Sequence, residues 1–155
     1  MSELRLDKNA IIGLFVLVVA FFLAMAQMDF QVMHMTYEPS NPEYLYKYWI
    51  SLGLVVTVFA TGLTWVAYSL NVNQKYLPAI FITVWLLFIG GLLDLFYGSL
   101  AYLRGEPYSF EYWSAQYKWF VLTGIMQEWT LTHQLLWFGA CLLVIGIMWK
   151  KVLKR

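Results

Sequence analysis

The chain has 155 residues, of which 61% are hydrophobic and only 12% are charged, and its formal net charge is +1. A typical soluble domain is about 25% charged, so this composition excludes an ordinary water-soluble surface and indicates lipid as the solvent. The near-neutral balance argues against a nucleic-acid partner, which favours a strongly basic face. The single cysteine, Cys141, excludes a disulfide within the chain and a cysteine-based zinc site.

Four apolar segments are long enough to cross a bilayer. A transmembrane helix needs about 20 predominantly apolar residues, because the hydrocarbon core is roughly 30 Å thick. Helix is expected, since an open strand in lipid would leave backbone polar groups unpaired. The predicted spans are about 10–30, 48–70, 78–103 and 129–149. The sequence therefore predicts an all-α integral membrane protein, a four-transmembrane-helix bundle that forms a single domain over residues 1–155.

The first predicted span contains a sequence that resembles a signal-peptidase site, Ala24-Met25-Ala26 before Gln27. The apolar run is longer than a usual signal-peptide core, and acidic as well as basic residues precede it. We therefore expect residues 1–26 to be retained as part of the first helix.

Basic residues in the flanks predict the orientation. One side of the predicted bundle carries seven of them, Arg5, Lys8, Lys75, Lys150, Lys151, Lys154 and Arg155. The other side carries three, Lys47, Arg104 and Lys118. We expect the side with seven to be cytoplasmic, which places both termini inside.

The two outer segments, about 31–47 and 104–128, are rich in Tyr and Trp. Such residues at headgroup depth form an aromatic belt. From Tyr108 to Glu128 the apolar residues also recur at helical spacing. This pattern predicts an interfacial amphipathic helix before the fourth span, with a rigid continuation of the fourth helix as the alternative.

Small residues predict where the helices approach closely. The second span has a stripe of them, Gly53, Thr57, Ala60, Thr64 and Ala67, and the fourth has Thr132, Gly139 and Gly146. In the third span Asp94 lies three residues after Gly91 and four before Gly98, so we expect it to point into the bundle. The same stripes also suit contact with other subunits.

Titratable residues converge on one depth. An ionisable group at the centre of a membrane helix costs about 2.5–3.5 kcal/mol, so each is a functional candidate. Asp94 lies 16 residues after Pro78, and His133 lies 16 before Trp149. Both are therefore about 24 Å from the inner edge. Further candidates at or near this level are Asp29, His34 and Glu128.

Three interpretations of this layer stay open. His34, His133, Asp29 and Asp94 could bind copper, zinc or iron, because imidazole and carboxylate suit these metals. Asp29, Asp94, Glu128 and His133 could instead form a proton relay or a polar ligand pocket. In the third interpretation Asp94 and His133 bond each other or a neighbouring Tyr and only hold the helices together.

The sequence loosely resembles two known families. A first span that ends in Asp29, with His34 soon after and His133 early in the last span, resembles the C subunit of copper membrane monooxygenases, without that family's paired ligand motifs. Four helices, inside termini and a basic tail resemble the emopamil-binding sterol isomerase group, in which only Asp29 finds a counterpart. Neither resemblance reaches a specific motif, so neither assigns a family.

These patterns predict a small polytopic subunit of a larger membrane complex. It would pack by its glycine faces, help to form a polar site in the outer leaflet, and have lipids and other membrane subunits as partners. The alternative is a free-standing membrane enzyme or binder with a lipid, sterol or metal pocket between its helices.

Overall fold

The computed structural model describes residues 8–36, 42–106, 124–125 and 127–154, with side chains for 9–29, 47–106 and the last two ranges. Within these ranges the regular structure is helical. The described residues form five α-helices in chain order: α1 (Lys8–Thr36), α2 (Pro42–Ser69), α3 (Leu77–Ile89), α4 (Leu92–Leu103) and α5 (Leu131–Lys154). A short 3₁₀ helix, Gln74–Tyr76, precedes α3.

Three helices, α1, α2 and α5, contain stretches long and apolar enough to span a membrane. These stretches are Asn9–Asp29, Lys47–Ser69 and Leu131–Lys154, close to three of the predicted spans. The helices α1 and α2 continue beyond the predicted limits, to Thr36 and from Pro42. For the part of the chain that the structure describes, the expectation of all-helical structure with several apolar helices is thus confirmed.

The third predicted span, 78–103, is not one continuous helix. It is divided at Gly90 and Gly91 into α3 and α4, which meet at an angle of 46°. Together α3 and α4 are long and apolar enough to form a fourth span, provided that the pair crosses the membrane as one broken helix. Gly91 has φ 81°, a conformation that glycine adopts without steric cost.

The core is assembled from pairs of helices. The helix α1 packs mainly against α4, α2 against α3, and α5 against α3. On α1, Phe22 and Ala26 are fully buried, so the segment that resembles a signal peptide is part of this core. The rings of Phe21 and Phe59 stack with centroids 3.7 Å apart and join α1 to α2.

The predicted interfacial helix, 108–128, lies mostly outside the described residues. Of this segment the structure describes Gly124, Ile125, Gln127 and Glu128, none of which is helical. The helix α5 then begins at Leu131, close to the predicted start of the fourth span.

Candidate functional site at the helix break

The break between α3 and α4 is closely packed against α5. A Cβ atom on Gly90 would lie 3.1 Å from the Cβ of Cys141 and 3.2 Å from Cδ2 of Phe138. A Cβ atom on Gly91 would overlap the side-chain amide of Gln134. Both glycines are therefore needed for the close approach of α5, which is the role expected of small residues between membrane helices.

Side chains of α5 satisfy backbone carbonyls at the break. Trp137 Nε1 donates to the carbonyl of Ile89 at 2.8 Å, and Gln134 Nε2 donates to that of Gly90 at 3.0 Å. In lipid no water is at hand to replace a lost helical hydrogen bond, so a broken helix needs such partners from its neighbours. The two α5 residues allow the helix to break within the apolar region.

Gln134 is the residue that the sequence analysis missed. Its side chain is fully buried, and its Oε1 accepts a 2.8 Å hydrogen bond from Trp129 Nε1. The search for functional groups counted titratable residues, so a neutral amide inside the fourth span was overlooked. The sequence signal that could have identified Gln134 was its amide group at the depth of Asp94, opposite the adjacent glycines Gly90 and Gly91 of the preceding span.

Asp94 lies in the first turn of α4, and only 5% of its surface is exposed. Its Oδ2 would be 3.2 Å from a Cβ atom on Gly91, so the carboxyl group folds back toward the break. The expectation that Asp94 points into the bundle agrees with this burial.

Asp29, on α1, extends the polar region toward α2. The hydroxyl group of Tyr48 donates to Asp29 Oδ1, and Asp29 is close enough to Asp94 to interact with it electrostatically. Together with Gln134 these residues place polar side chains from α1, α2, α4 and α5 in one region. We call Asp29, Tyr48, Asp94 and Gln134 the polar cluster.

His133 belongs to a different environment from the polar cluster. Its Nδ1 accepts from the backbone N–H of Thr130 at 3.2 Å and lies 3.1 Å from the Thr130 hydroxyl. Its ring also lies against Trp129, with centroids 5.8 Å apart. The described contacts of His133 thus belong to the start of α5, and the residue beside Asp94's helix break is Gln134.

Those sequence candidates whose side chains are described do not assemble into a metal centre. Among the side chains described, no three His, Cys, Asp or Glu residues are close enough to hold a metal ion. Glu128 is exposed just before α5, and Cys141 is buried against α3. His34 is in α1, but its side chain is outside the described set. Copper, zinc or iron therefore has no support in the described residues.

Comparison with protein-family models, with curated proteins and with solved structures finds no match for the chain. The features of the molecule that bear on its function are the helix break, the polar cluster around it and the outer surface of the bundle.

Proposed function

We propose that the chain is a four-span membrane protein with both termini on the cytoplasmic side, in which α3 and α4 form one broken span. Three long apolar helices and the bent α3–α4 pair support the count. The excess of Lys and Arg beside the termini and at Lys75 supports the orientation. An even number of crossings agrees with basic flanks at both ends.

We further propose that it is a small subunit of a larger membrane complex. The observation that carries this proposal is the outward face of α5, where an added Cβ atom on Gly139 or Gly146 would meet no atom within 4 Å. Gly139 lies roughly 160° and Gly146 roughly 140° around the helix from the buried Cys141, since each residue turns about 100°. Glycines in lipid-exposed positions let another helix approach closely.

Within this subunit the polar cluster fixes how the helices are arranged. A hydrogen bond between polar side chains of two membrane helices stabilises their packing by about 0.6 kcal/mol on average. In the cluster, Tyr48 bonds Asp29 between α2 and α1, and Gln134 of α5 bonds the carbonyl of Gly90 at the helix break, so both bonds act on one arrangement. A defined helix arrangement is what a fixed surface for a neighbouring subunit requires.

The alternative is a free-standing binder or enzyme that uses the two carboxyl groups. The proximity of Asp29 and Asp94 favours it, because carboxyl groups inside a membrane often bind a cation or relay protons. In that case the polar cluster would be the ligand site, and the glycine face of α5 would contact lipid.

Purification of the tagged chain from its native membrane in a mild detergent distinguishes the subunit proposal from the free-standing alternative. The proposal predicts a second protein at a fixed ratio to the chain. The double substitution Gly139→Leu and Gly146→Leu should lower that ratio, because leucine fills the space that the partner helix needs. Gly62→Leu is the control: Gly62 is also open, but it lies on α2, away from the proposed contact on α5.

A pure monomer or homodimer that carries one lipid, sterol or metal ion per chain contradicts the subunit proposal and supports the alternative. If the partner stays bound after the Gly139→Leu, Gly146→Leu and Gly62→Leu substitutions, the α5 face is not its contact.

A further inference from the structure

A shallow groove lies at the inner end of the bundle, far from the polar cluster. Its volume is about 520 Å³, and its lining residues are Thr64, Gln74, Leu77, Pro78, Phe81 and Ile82. It runs between α2 and the first turns of α3. With the proposed topology, Gln74 is at the cytoplasmic surface and Ile82 is in the inner leaflet.

The lining of the groove suits a hydrocarbon chain. Leu77, Pro78, Phe81 and Ile82 are apolar, and the hydroxyl of Thr64 is already bonded to the carbonyl of Ala60 at 2.7 Å. Residues 74 to 82 span about 12 Å at 1.5 Å per residue, which matches a large part of one acyl chain in one leaflet. The groove opens on the outside of the bundle, where lipid has direct access.

A basic residue borders the groove in sequence, next to its lining residue Gln74. Lys75 follows Gln74 directly, and its Nζ lies 4.9 Å from the centroid of the Tyr76 ring. The Asn73 side chain accepts from the backbone N–H of Lys75 at 3.1 Å, which fixes the turn that carries the lysine. The sequence contains no Asp or Glu from residue 48 to residue 93, so no acidic neighbour in this segment neutralises the charge.

We propose that this groove binds one anionic phospholipid, with an acyl chain along α3 and the phosphate at Lys75. The inference rests on the proposed membrane topology but not on the proposed complex. A lysine near a membrane surface strengthens attraction to anionic lipid by about fivefold in affinity. The lipid would fill the gap between α2 and α3 at the end of the bundle that the polar cluster does not reach.

Native mass spectrometry of the protein released from nanodiscs tests this proposal. The discs contain equal amounts of phosphatidylglycerol and phosphatidylcholine of the same acyl length. We expect one retained lipid per chain, with phosphatidylglycerol preferred about fivefold. Soluble glycerophosphate should not compete, because it has no acyl chain for the groove.

Two matched pairs of variants locate the site. Lys75→Gln should abolish the preference for phosphatidylglycerol, whereas Lys154→Gln, which removes an exposed lysine on the same side at the end of α5, should keep it. Thr64→Trp should fill the groove and reduce retention of both lipids severalfold. Val66→Trp, at similar depth on an exposed face of α2, should leave retention unchanged.

Equal retention of the two lipids by the wild-type chain would overturn the proposal. So would an equal loss of preference in Lys75→Gln and Lys154→Gln, which would indicate general attraction to the basic surface. If circular dichroism shows that Thr64→Trp does not fold, the comparison of Lys75→Gln with Lys154→Gln tests the proposal instead. Masses are read for the chain with and without a partner, so the result does not depend on the complex.

Discussion

Gln134 on α5 donates a 3.0 Å hydrogen bond to the backbone carbonyl of Gly90, the last residue before the left-handed Gly91. One side chain thereby satisfies a carbonyl at the helix break and holds α5 against α3. The amide oxygen of the same residue is occupied by Trp129, so both ends of the amide group are used.

Gln134→Met should destabilise the protein by about 1–3 kcal/mol, the cost of leaving a buried acceptor unpaired. Methionine is similar in size, so the loss reports the hydrogen bonds more than the volume. The free energy of unfolding in bicelles is the measurement. Leu143→Met, on an exposed face of α5, is the control and should change it little. Equal stability of the two variants would show that Gln134 does not hold the break.

Gly91→Ala should destabilise by about 1–3 kcal/mol, because a residue with a Cβ is strained at positive φ and its methyl group would overlap Gln134. Gly62→Ala, at a position with open space, is the matched control and should be neutral or slightly stabilising. Adding Gln134→Ala to Gly91→Ala removes the overlap but not the strain. The double variant should therefore lose less than the sum of the two single variants.

Tyr48→Phe should cost about 0.5–1.5 kcal/mol, the usual net value of one hydrogen bond, because it removes the donor to Asp29. A double-mutant cycle with Asp29→Asn should give a coupling energy of about 0.5 kcal/mol or more. Tyr68→Phe, on an exposed part of α2, serves as the control. Additive effects of Tyr48→Phe and Asp29→Asn would mean that the two residues do not act together.

The described contacts favour Asp29 over His133 as the residue that is coupled to Asp94. Asp94→Asn should couple to Asp29→Asn, because those carboxyl groups interact. Asp94→Asn and His133→Gln should be additive within about 0.5 kcal/mol, because the imidazole bonds to Thr130. Thermal unfolding of the single and double variants in detergent measures both cycles. Strong coupling of Asp94 to His133 would restore the pairing expected from their common depth.

The sequence predicted well the features that depend on length and composition. The positions of α1, α2 and α5 follow from apolar runs of about 20 residues. The inward orientation of Asp94 follows from its spacing to Gly91, because helical periodicity relates neighbours on one helix.

The sequence could not predict the features that depend on contacts between helices. Gly90 and Gly91 are equally compatible with a continuous helix in close contact and with a break, and hydropathy does not distinguish these states. Counted along the helix, His133 and Gln134 lie at almost the same depth in the membrane, but their side chains point about 100° apart. Only the packing of α5 against the break selects Gln134.

The most direct test of the central claim asks on which sides of the membrane the two ends of the α3–α4 pair lie. Single cysteines replace Asn73 and Gly105 in a Cys141→Ser background, and a membrane-impermeant thiol reagent is added to intact cells. A single broken span predicts labelling of the Gly105→Cys protein from outside, and labelling of the Asn73→Cys protein only after the membrane is permeabilised. Labelling of both proteins from the same side would contradict the account, because the α3–α4 pair would then be a re-entrant loop.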